Sequence, residues 1–296
     1  MPDESRTFIK KNLGAADDPY NHLSAATERH QDADYISQKP STASPTSPTE
    51  PQPHNVLTMP TPKPRAIFFD FMGTCLDWHT SAVSALPSSI PLDTRSQLAL
   101  AWRQAYFDSN AARLAAQLPP EDIDLTLLST LTALLSSTYP EHVPLFDEPT
   151  KQACVAAWHS MRAWPDVLPA LTALKAAGHS LFVFANGTTR LQLDLCRSAG
   201  LRGVFEMCFS SELLGVYKPA KESYRRVLEL VRVSPEEAVQ VAAHAYDTRG
   251  AREVGMRTVY VRRWTDDVRE DMEAVRGEND AFLEDMNGLV EVVGRL

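Results

Sequence analysis

Short apolar runs alternate with longer amphipathic stretches along the chain after residue 65. The amphipathic stretches Thr189–Ala199 and Ala220–Val231 have the spacing of helices with one buried face. The apolar runs are too short for helices and are typical of strands that are buried on both faces of a parallel sheet. These predicted strands are Ile67–Phe69, Leu181–Ala185, Val204–Phe209, Val239–Ala243 and Val259–Val261. The alternation predicts an α/β fold with a doubly wound parallel sheet.

Two regions depart from this alternation. Residues 81–163 have only helical periodicity, as in the leucine-rich stretch Leu125–Leu135, so we expect a helical cap inserted into the core. The core then comprises residues 62–80 and 164–296. Residues 1–61 contain few large apolar residues, and residues 40–64 are rich in Pro, Ser and Thr. Because such a segment cannot offset its ordering entropy by burial, we expect a disordered tail at residues 1–61.

Polar side chains stand at the ends of three predicted strands. Asp70 and Thr74 follow the first strand, Asn186 follows the second, and His244 and Asp247 follow a later one. Ligands of open α/β sheets bind beyond the carboxyl ends of the strands, so we expect these side chains to lie close together. A threonine hydroxyl can orient a carboxylate by donating a hydrogen bond to it. The pattern therefore indicates Asp70 as a nucleophile.

Lys218 is a further candidate site residue, and each candidate also has an alternative structural role. Lys218 would keep a neighbouring Asp70 ionised and would stabilise negative charge on a substrate. Taken singly, however, Asp70 and Asp247 also fit capping roles, Lys218 fits a solvated position, and His244 fits a hydrogen-bonded structural histidine. The spacing of these residues leaves both interpretations open.

Four segments, taken in chain order, resemble the four motifs of the haloacid dehalogenase superfamily. They are Asp70-Phe71-Met72-Gly73-Thr74, Ala185-Asn186-Gly187-Thr188-Thr189, Tyr217-Lys218-Pro219 and Ala242-Ala243-His244-Ala245-Tyr246-Asp247. Two further segments, Asp77-Trp78-His79 and Trp102-Arg103-Gln104, are similar to sequences of its type II 2-haloacid dehalogenase branch. The residues of the second and fourth motifs look like those of fungal members of this branch. The resemblance covers most of the chain from Lys63 onward and implies a Rossmann-like core with a helical cap.

The resemblance implies metal-independent hydrolytic dehalogenation of a small 2-haloacid through an aspartyl ester on Asp70. It assigns catalytic roles to Asp70, Lys218, Asp247 and His244, with Asp247 or His244 positioning or deprotonating water. It assigns substrate contacts to Arg103, Thr74, Met72, Asn186, Tyr224 and Tyr246. Arg103 is expected to bind a carboxylate or the leaving halide, and the alternative is an exposed helix arginine. No metal and no other cofactor is expected.

Several positions depart from the family pattern and keep two other functions open. Ala185 and Ala242 stand where the resembling branch has serines, and His244 stands where it has an asparagine. Met72 stands where the phosphatases of the superfamily place a proton-donating aspartate. A magnesium-dependent phosphatase is therefore the weaker alternative, because methionine cannot transfer a proton. The two alanines keep open a repurposed, non-dehalogenating enzyme or binding protein of a secondary pathway.

Composition limits the partners and the location that we expect. The chain has 296 residues and a net charge of −9, which argues against nucleic acid as a partner. We find no apolar stretch long enough for a bilayer and no signal-peptide pattern, and the four dispersed cysteines suit a reducing compartment. We therefore expect a cytoplasmic protein that binds a small-molecule carboxylate and neither nucleic acid nor membrane. The resemblance also implies a homodimer.

Overall fold

A parallel sheet with helices on both faces forms the centre of the molecule. The computed structural model describes residues 63–296, and the tail predicted at residues 1–61 lies outside the described residues. The elements are β1 (Ala66–Phe69), β2 (Leu76–Asp77), α1 (Trp78–Ala85), α2 (Leu92–Ala115), α3 (Ile123–Thr138), α4 (Glu148–Ala156), β3 (Arg162–Ala163), α5 (Val167–Ala176), β4 (Ser180–Ala185), α6 (Thr189–Ser198), β5 (Met207–Ser210), α7 (Ser211–Leu214), α8 (Lys221–Val231), β6 (Ala238–Ala242), α9 (Ala245–Arg252), β7 (Arg257–Val261), α10 (Met272–Glu278), β8 (Ala281–Leu283) and α11 (Leu289–Val293).

The strand order places β1 in the interior of the sheet. The order is β5-β4-β1-β6-β7-β8, and every neighbouring pair in this sheet is parallel. Phe69 at the end of β1 lies opposite Val183 of β4 and Val241 of β6. The carboxyl ends of these three strands therefore lie at one edge of the sheet. This architecture confirms the prediction of a doubly wound parallel sheet.

The alternation of side chains along β1 divides the core between the two faces of the sheet. Ile67 and Phe69 join the larger apolar cluster, whereas Ala66 and Phe68 join a smaller cluster on the opposite face. Phe68 stacks on Phe182 with ring centroids 5.2 Å apart. All four residues of β1 are buried, and burial of each large apolar side chain contributes roughly 1.5–3 kcal/mol. The strand that carries the candidate nucleophile is thus fixed on both faces.

One predicted strand begins later than the sequence pattern indicated. The run Val204–Phe209 is extended only from Met207, where β5 starts. Gly200 and Gly203 both adopt a φ of 72°, so the chain is still turning before this point. Hydrogen bonding between β5 and β4 begins where the N–H of Glu206 donates to the carbonyl of Leu181 at 2.8 Å. The apolar residues before Met207 therefore pack against the core from a turn.

A helical insertion, residues 78–159, separates β2 from β3 and lies over the carboxyl edge of the sheet. Asp77 caps the first helix of the insertion, α1, because its side chain accepts a hydrogen bond from the N–H of Thr80 at 3.0 Å. Inside the insertion Trp78 and Trp158 stack at 5.7 Å, and Trp102 meets Trp158 edge-on at 5.2 Å. No helix within residues 63–296 is long and apolar enough to cross a membrane. The division into a core and a cap at the stated boundaries stays a prediction.

Candidate active site

Asp70 is the first residue after β1 and lies at the carboxyl edge of the sheet. Its N–H still donates to the carbonyl of Val241 at 3.0 Å, so the strand fixes its backbone. Gly73 makes the following turn with a φ of 90°. The Thr74 hydroxyl accepts the N–H of Ala243 at 2.8 Å and therefore donates its own proton to Asp70 Oδ2, at 2.7 Å. The turn thus orients one oxygen of the carboxylate.

Lys218 holds the other oxygen of Asp70. Its ammonium lies 3.0 Å from Asp70 Oδ1, 2.5 Å from Asp247 Oδ2 and 2.8 Å from the carbonyl of Phe184, so each of its three protons has an acceptor. Asn186 fixes the lysine backbone by accepting its N–H at 2.9 Å and donating to its carbonyl at 3.2 Å. Burial opposes the charge, yet the two carboxylates raise the pKa of Lys218 above its usual value. The lysine is therefore a fixed cation.

Asp247 lies behind Lys218 and is fully buried. Tyr224 donates to its Oδ1 at 2.8 Å, and Gln240 donates to its Oδ2 at 3.0 Å. Burial raises the pKa of Asp247, although the Lys218 ammonium works in the opposite direction. The structure therefore places Tyr224 against Asp247, where it orients that carboxylate.

His244 bridges two carboxylates. Its Nδ1 lies 3.0 Å from Asp70 Oδ2, and its Nε2 lies 3.0 Å from Asp266 Oδ1. Burial opposes the charged ring, but Asp70 and Asp266 together raise the pKa of His244 to about 10. Burial also opposes ionisation of Asp266, yet His244 and the more distant Arg103 hold its pKa below the usual value. The imidazole is therefore a cation held between two anions.

These cations keep the candidate nucleophile ionised. Burial works against the charge of Asp70, but Lys218 and His244 hold the pKa of its carboxyl well below its usual range. A carboxylate that is buried, ionised and held by fixed donors is suited to attack an electrophilic carbon. The site thus favours the ionised form of Asp70, which a carboxylate nucleophile requires.

Arg103 of α2 enters this site from the insertion. Its Nη2 donates to the carbonyl of Met72 at 3.3 Å, and its guanidinium lies 4.5 Å from the ring centroid of Phe107. Three further rings surround it within 6 Å: Trp78, Tyr106 and Trp158. Arg103 Nε is buried and, among the described residues, has no hydrogen-bond partner. A buried cation with an unused donor is suited to receive an anion.

The remaining predicted contact residues lie on the same side of the site. Met72 is buried, with its sulfur 4.0 Å from Arg103 Nη1 and its carbonyl bound to the same guanidinium. Tyr246 lies beside His244, with ring centroids 5.5 Å apart, and faces Phe107 of α2. The structure therefore brings all ten predicted site residues to the carboxyl edge of the sheet or to the helix above it.

Sequence reasoning did not identify two polar residues of the site. Asp266 contacts His244, and Gln240 contacts Asp247 from inside β6. Asp266 follows β7, so a polar residue after another strand end was the available signal. Gln240 is the polar residue of an otherwise apolar strand, Ala238–Ala242, which was a signal as well.

Among residues 63–296, no group of three or more His, Cys, Asp and Glu side chains is arranged to hold a metal ion.

Comparison with known proteins supplies an independent view of this site. Residues 64–255 match the family model described as haloacid dehalogenase-like hydrolase. The chain is 30% identical over 199 residues to (S)-2-haloacid dehalogenase 1 of Pseudomonas sp. (strain CBS-3), a match that covers 67% of this chain and 85% of the relative.

Solved structures give the same result. The L-2-haloacid dehalogenase PA0810 superposes with a TM-score of 0.67 at 32% identity, covering 77% of this chain and 98% of that one. The defluorinating L-2-haloacid dehalogenase Rha0230 superposes with a TM-score of 0.68 at 27% identity, covering 78% and 95%. The motifs, the fold and the family model agree, and the chain belongs to the haloacid dehalogenase-like hydrolase family.

Proposed function

We propose that this protein hydrolyses the carbon–halide bond of a small 2-haloacid without a metal, with Asp70 as the nucleophile. One observation carries the proposal: an ionised carboxylate held by Lys218, Thr74 and His244 shares the site with a buried arginine that has an unused donor. The nucleophile and the anion-binding group that a haloacid requires are thus both present. The activities named for the relatives are consistent with this chemistry.

In the first half-reaction an oxygen of Asp70 attacks the carbon that bears the halogen. The new carbon–oxygen bond forms as the carbon–halogen bond breaks, and the halide leaves with the bonding electrons. The product is an ester of Asp70 with the substrate carbon. Arg103 binds the substrate carboxylate or the departing halide, since its guanidinium is buried and its nearest polar partner is the Met72 carbonyl.

In the second half-reaction water attacks Cγ of Asp70. Asp247 accepts a proton from the water and returns it to the departing alkoxide, and the remaining acidic proton of Asp70 is lost to solvent. The geometry favours Asp247 over His244 as the base, because both ring nitrogens of His244 face carboxylate oxygens. A doubly protonated ring has no lone pair with which to accept a proton. The raised pKa of Asp247 suits a general base.

The helical insertion acts as the cap of this site in our proposal. Arg103 and the four rings around it belong to the insertion, while Asp70, Lys218 and Asp247 belong to the core. A cap of this kind excludes water until the ester has formed. The homodimer and the cytoplasmic location expected from the sequence stay predictions.

Halide release from racemic 2-chloropropionate, measured with and without EDTA, tests the proposal. We expect equal release under both conditions and none from Asp70→Asn, because a neutral amide is a poor nucleophile. The near-isosteric variant should keep the wild-type circular dichroism spectrum. Release that EDTA abolishes, or a phosphatase activity that magnesium supports, would favour the magnesium-dependent alternative instead.

A further inference from the structure

Asp266 is a buried carboxylate that none of the four motifs contains. Its Oδ1 faces His244 Nε2 at 3.0 Å, while Thr265 donates to its Oδ2 at 2.6 Å. The Trp78 indole N–H lies 3.3 Å from both oxygens. Its side chain is about 1% exposed. Asp266 is thus held in place by its own donors and directs one oxygen at the histidine that faces the nucleophile.

The turn after the nucleophile also depends on Asp266. A Cβ atom added at Gly73 would lie 2.6 Å from both carboxylate oxygens of Asp266, and the φ of 90° disfavours a side chain there. The loop after β7 therefore packs directly against the turn that carries Asp70. A movement of Asp266 would therefore change the positions of both Asp70 and His244.

We propose that Asp266 is a positioning residue that keeps His244 protonated and aims its Nδ1 proton at Asp70 Oδ2 throughout the reaction. This inference rests on the proposed function for its catalytic consequence, but the pairing itself can be measured without any substrate. The resembling branch has an asparagine at position 244, which would be a neutral donor, so the charged pair depends on the histidine present here.

The catalytic consequence concerns the ester intermediate. Asp70 Oδ1 accepts one hydrogen bond, from Lys218, whereas two donors face Oδ2, so we assign the attack on the substrate carbon to Oδ1. Oδ2 then becomes the carbonyl oxygen of the ester. Attack of water at Cγ forms a carbon–oxygen bond and moves the carbonyl electron pair onto Oδ2. Two fixed donors face that oxygen, the Thr74 hydroxyl at 2.7 Å and His244 Nδ1 at 3.0 Å. Together they form an oxyanion hole for ester hydrolysis.

The second carboxylate matters most after the ester has formed. Esterification removes the charge of Asp70, which is one of the two anions that stabilise the imidazolium. Asp266 is then the remaining anion in contact with the ring. The other charged or titratable groups near this pair are Arg103, His79, Tyr246 and Tyr260, with Lys218 on the far side of Asp70. Without Asp266 the ring would lose its proton on esterification and would no longer be a charged donor.

Titration of the histidines by nitrogen-15 NMR tests the pairing directly in the full-length protein. The His244 signal, assigned by its loss in His244→Gln, should remain that of an imidazolium up to about pH 9. In Asp266→Asn its titration midpoint should move toward neutrality by about one pH unit or more. Asp166→Asn is the matched control, since Asp166 is a partly buried carboxylate whose partners are Arg263 and Met286, and it should leave the His244 titration unchanged. A wild-type His244 that titrates near pH 6.5 would overturn the inference without any variant.

A rapid-quench experiment with 2-chloropropionate tests the catalytic part. Asp266→Asn should release a first equivalent of halide and accumulate the ester on Asp70, with ester hydrolysis slowed about tenfold or more. His244→Ala, which removes the donor, should slow it about a hundredfold, as for loss of an oxyanion donor. The Asp266→Asn, His244→Ala double variant should be no slower than His244→Ala, because the two residues act as a unit. Wild-type ester levels in Asp266→Asn would overturn the inference, whereas no halide release from the wild type would contradict the proposed function itself.

Discussion

At the scale of single residues, the site is a set of buried charges that nearly all have partners. Asp70, Asp247 and Asp266 contribute negative charge, and Lys218 and His244 contribute positive charge within 3.0 Å of them. The guanidinium of Arg103 differs, because its polar contacts are with Met72. Because an unpaired buried cation is costly, these contacts support the proposal that Arg103 binds an anionic substrate.

The substrate class can be tested through Arg103. Arg103→Ala should lower kcat/KM for 2-chloropropionate by roughly thirtyfold or more, since removing one partner of a buried charged pair costs on the order of 2–5 kcal/mol. Arg103→Lys should also lose activity, because lysine lacks the planar fork of donors. The loss should be much smaller for the corresponding 2-chloroamide, which has no carboxylate.

Arg113→Ala is the control for this measurement. Arg113 lies on the same helix α2 but pairs with Glu121 and the carbonyl of Pro119, so its kinetic constants should stay within about twofold of the wild type. Equal, large losses on acid and amide in Arg103→Ala would instead place Arg103 at the leaving halide or in the folding of the insertion.

The stability of the protein should depend on pH through His244. Its pKa is about 10 in the folded protein and about 6.5 when unfolded, so the folded state holds the proton more tightly. This contribution is fully present below about pH 6.5 and is lost as the pH rises through about 10. Urea unfolding should therefore give a free energy that falls by a few kcal/mol between pH 6.5 and pH 10.

Two histidine variants distinguish the source of that pH dependence. His244→Gln should lose most of the decline. His79→Gln should keep it, because burial lowers the pKa of His79 and so gives it the opposite dependence. A decline that survives unchanged in His244→Gln would show that the bridge between Asp70 and Asp266 does not carry the charge.

The residues that sequence reasoning found and missed differ in one physical respect. Asp70, Lys218 and Asp247 stand in short motifs next to strand ends, so local pattern and the rule for ligand sites of parallel sheets locate them. Asp266 lies 22 positions from His244, and its contact depends on the course of the loop after β7. The path of that loop could not be predicted from the local sequence, and neither could the packing of the four rings around Arg103.

At the scale of elements, the site depends on how closely α8 and α9 approach each other. Gly250 of α9 faces Tyr224 of α8, and the tyrosine in turn holds Asp247.

The buried strands were predictable because parallel strands covered on both faces are apolar throughout. The pair β2 and β3 and the edge strand β8 were not, because strands of two or three residues give no periodic pattern.

Gly250→Ala should disturb this contact. The added methyl group would lie 2.7 Å from the Tyr224 hydroxyl and 2.9 Å from its ring, so the tyrosine side chain or one of the two helices must move. We expect a loss of about 1–3 kcal/mol in the free energy of unfolding, together with reduced turnover, because Tyr224 would leave Asp247. Thermal unfolding and halide release measure both effects.

Gly277→Ala is the matched control on helix α10. A Cβ atom there would meet nothing within 4 Å, and alanine is a better helix former than glycine. This variant should be as stable as the wild type or more stable by up to about 1 kcal/mol, with unchanged turnover. A Gly250→Ala protein that behaves in the same way would contradict the close approach of the two helices.

At the scale of the whole molecule, a few polar contacts join the helical insertion to the core. His159 lies between Asp124 of α3 and Asp194 of α6, at 2.9 and 3.1 Å. The Tyr217 hydroxyl accepts the N–H of Glu121 at 2.7 Å. Burial opposes the charge of His159, but the two aspartates raise its pKa above the usual value. We therefore expect the contact between the insertion and the core to depend on pH.

Amide hydrogen exchange should detect this sensitivity. The His159 contribution is fully present below about pH 6.5 and is lost as the pH rises through its raised pKa, so α3 should be better protected at pH 6 than at pH 9. The effect should be at most about 1 kcal/mol, because the groups are partly exposed. His159→Gln should abolish the difference, and His142→Gln, which alters a histidine of the insertion that pairs with neighbouring Glu141, should retain it.

The central claim, that Asp70 forms an ester which water then hydrolyses, is tested most directly by one turnover in oxygen-18 water with enzyme in excess over 2-chloropropionate. Because water attacks Cγ of Asp70, the label should appear by mass spectrometry in the peptide that contains Asp70, and the hydroxyl of the product should carry oxygen-16. Label in the product hydroxyl after that first turnover, with an unlabelled Asp70 peptide, would mean that water attacks the substrate directly and would contradict the mechanism.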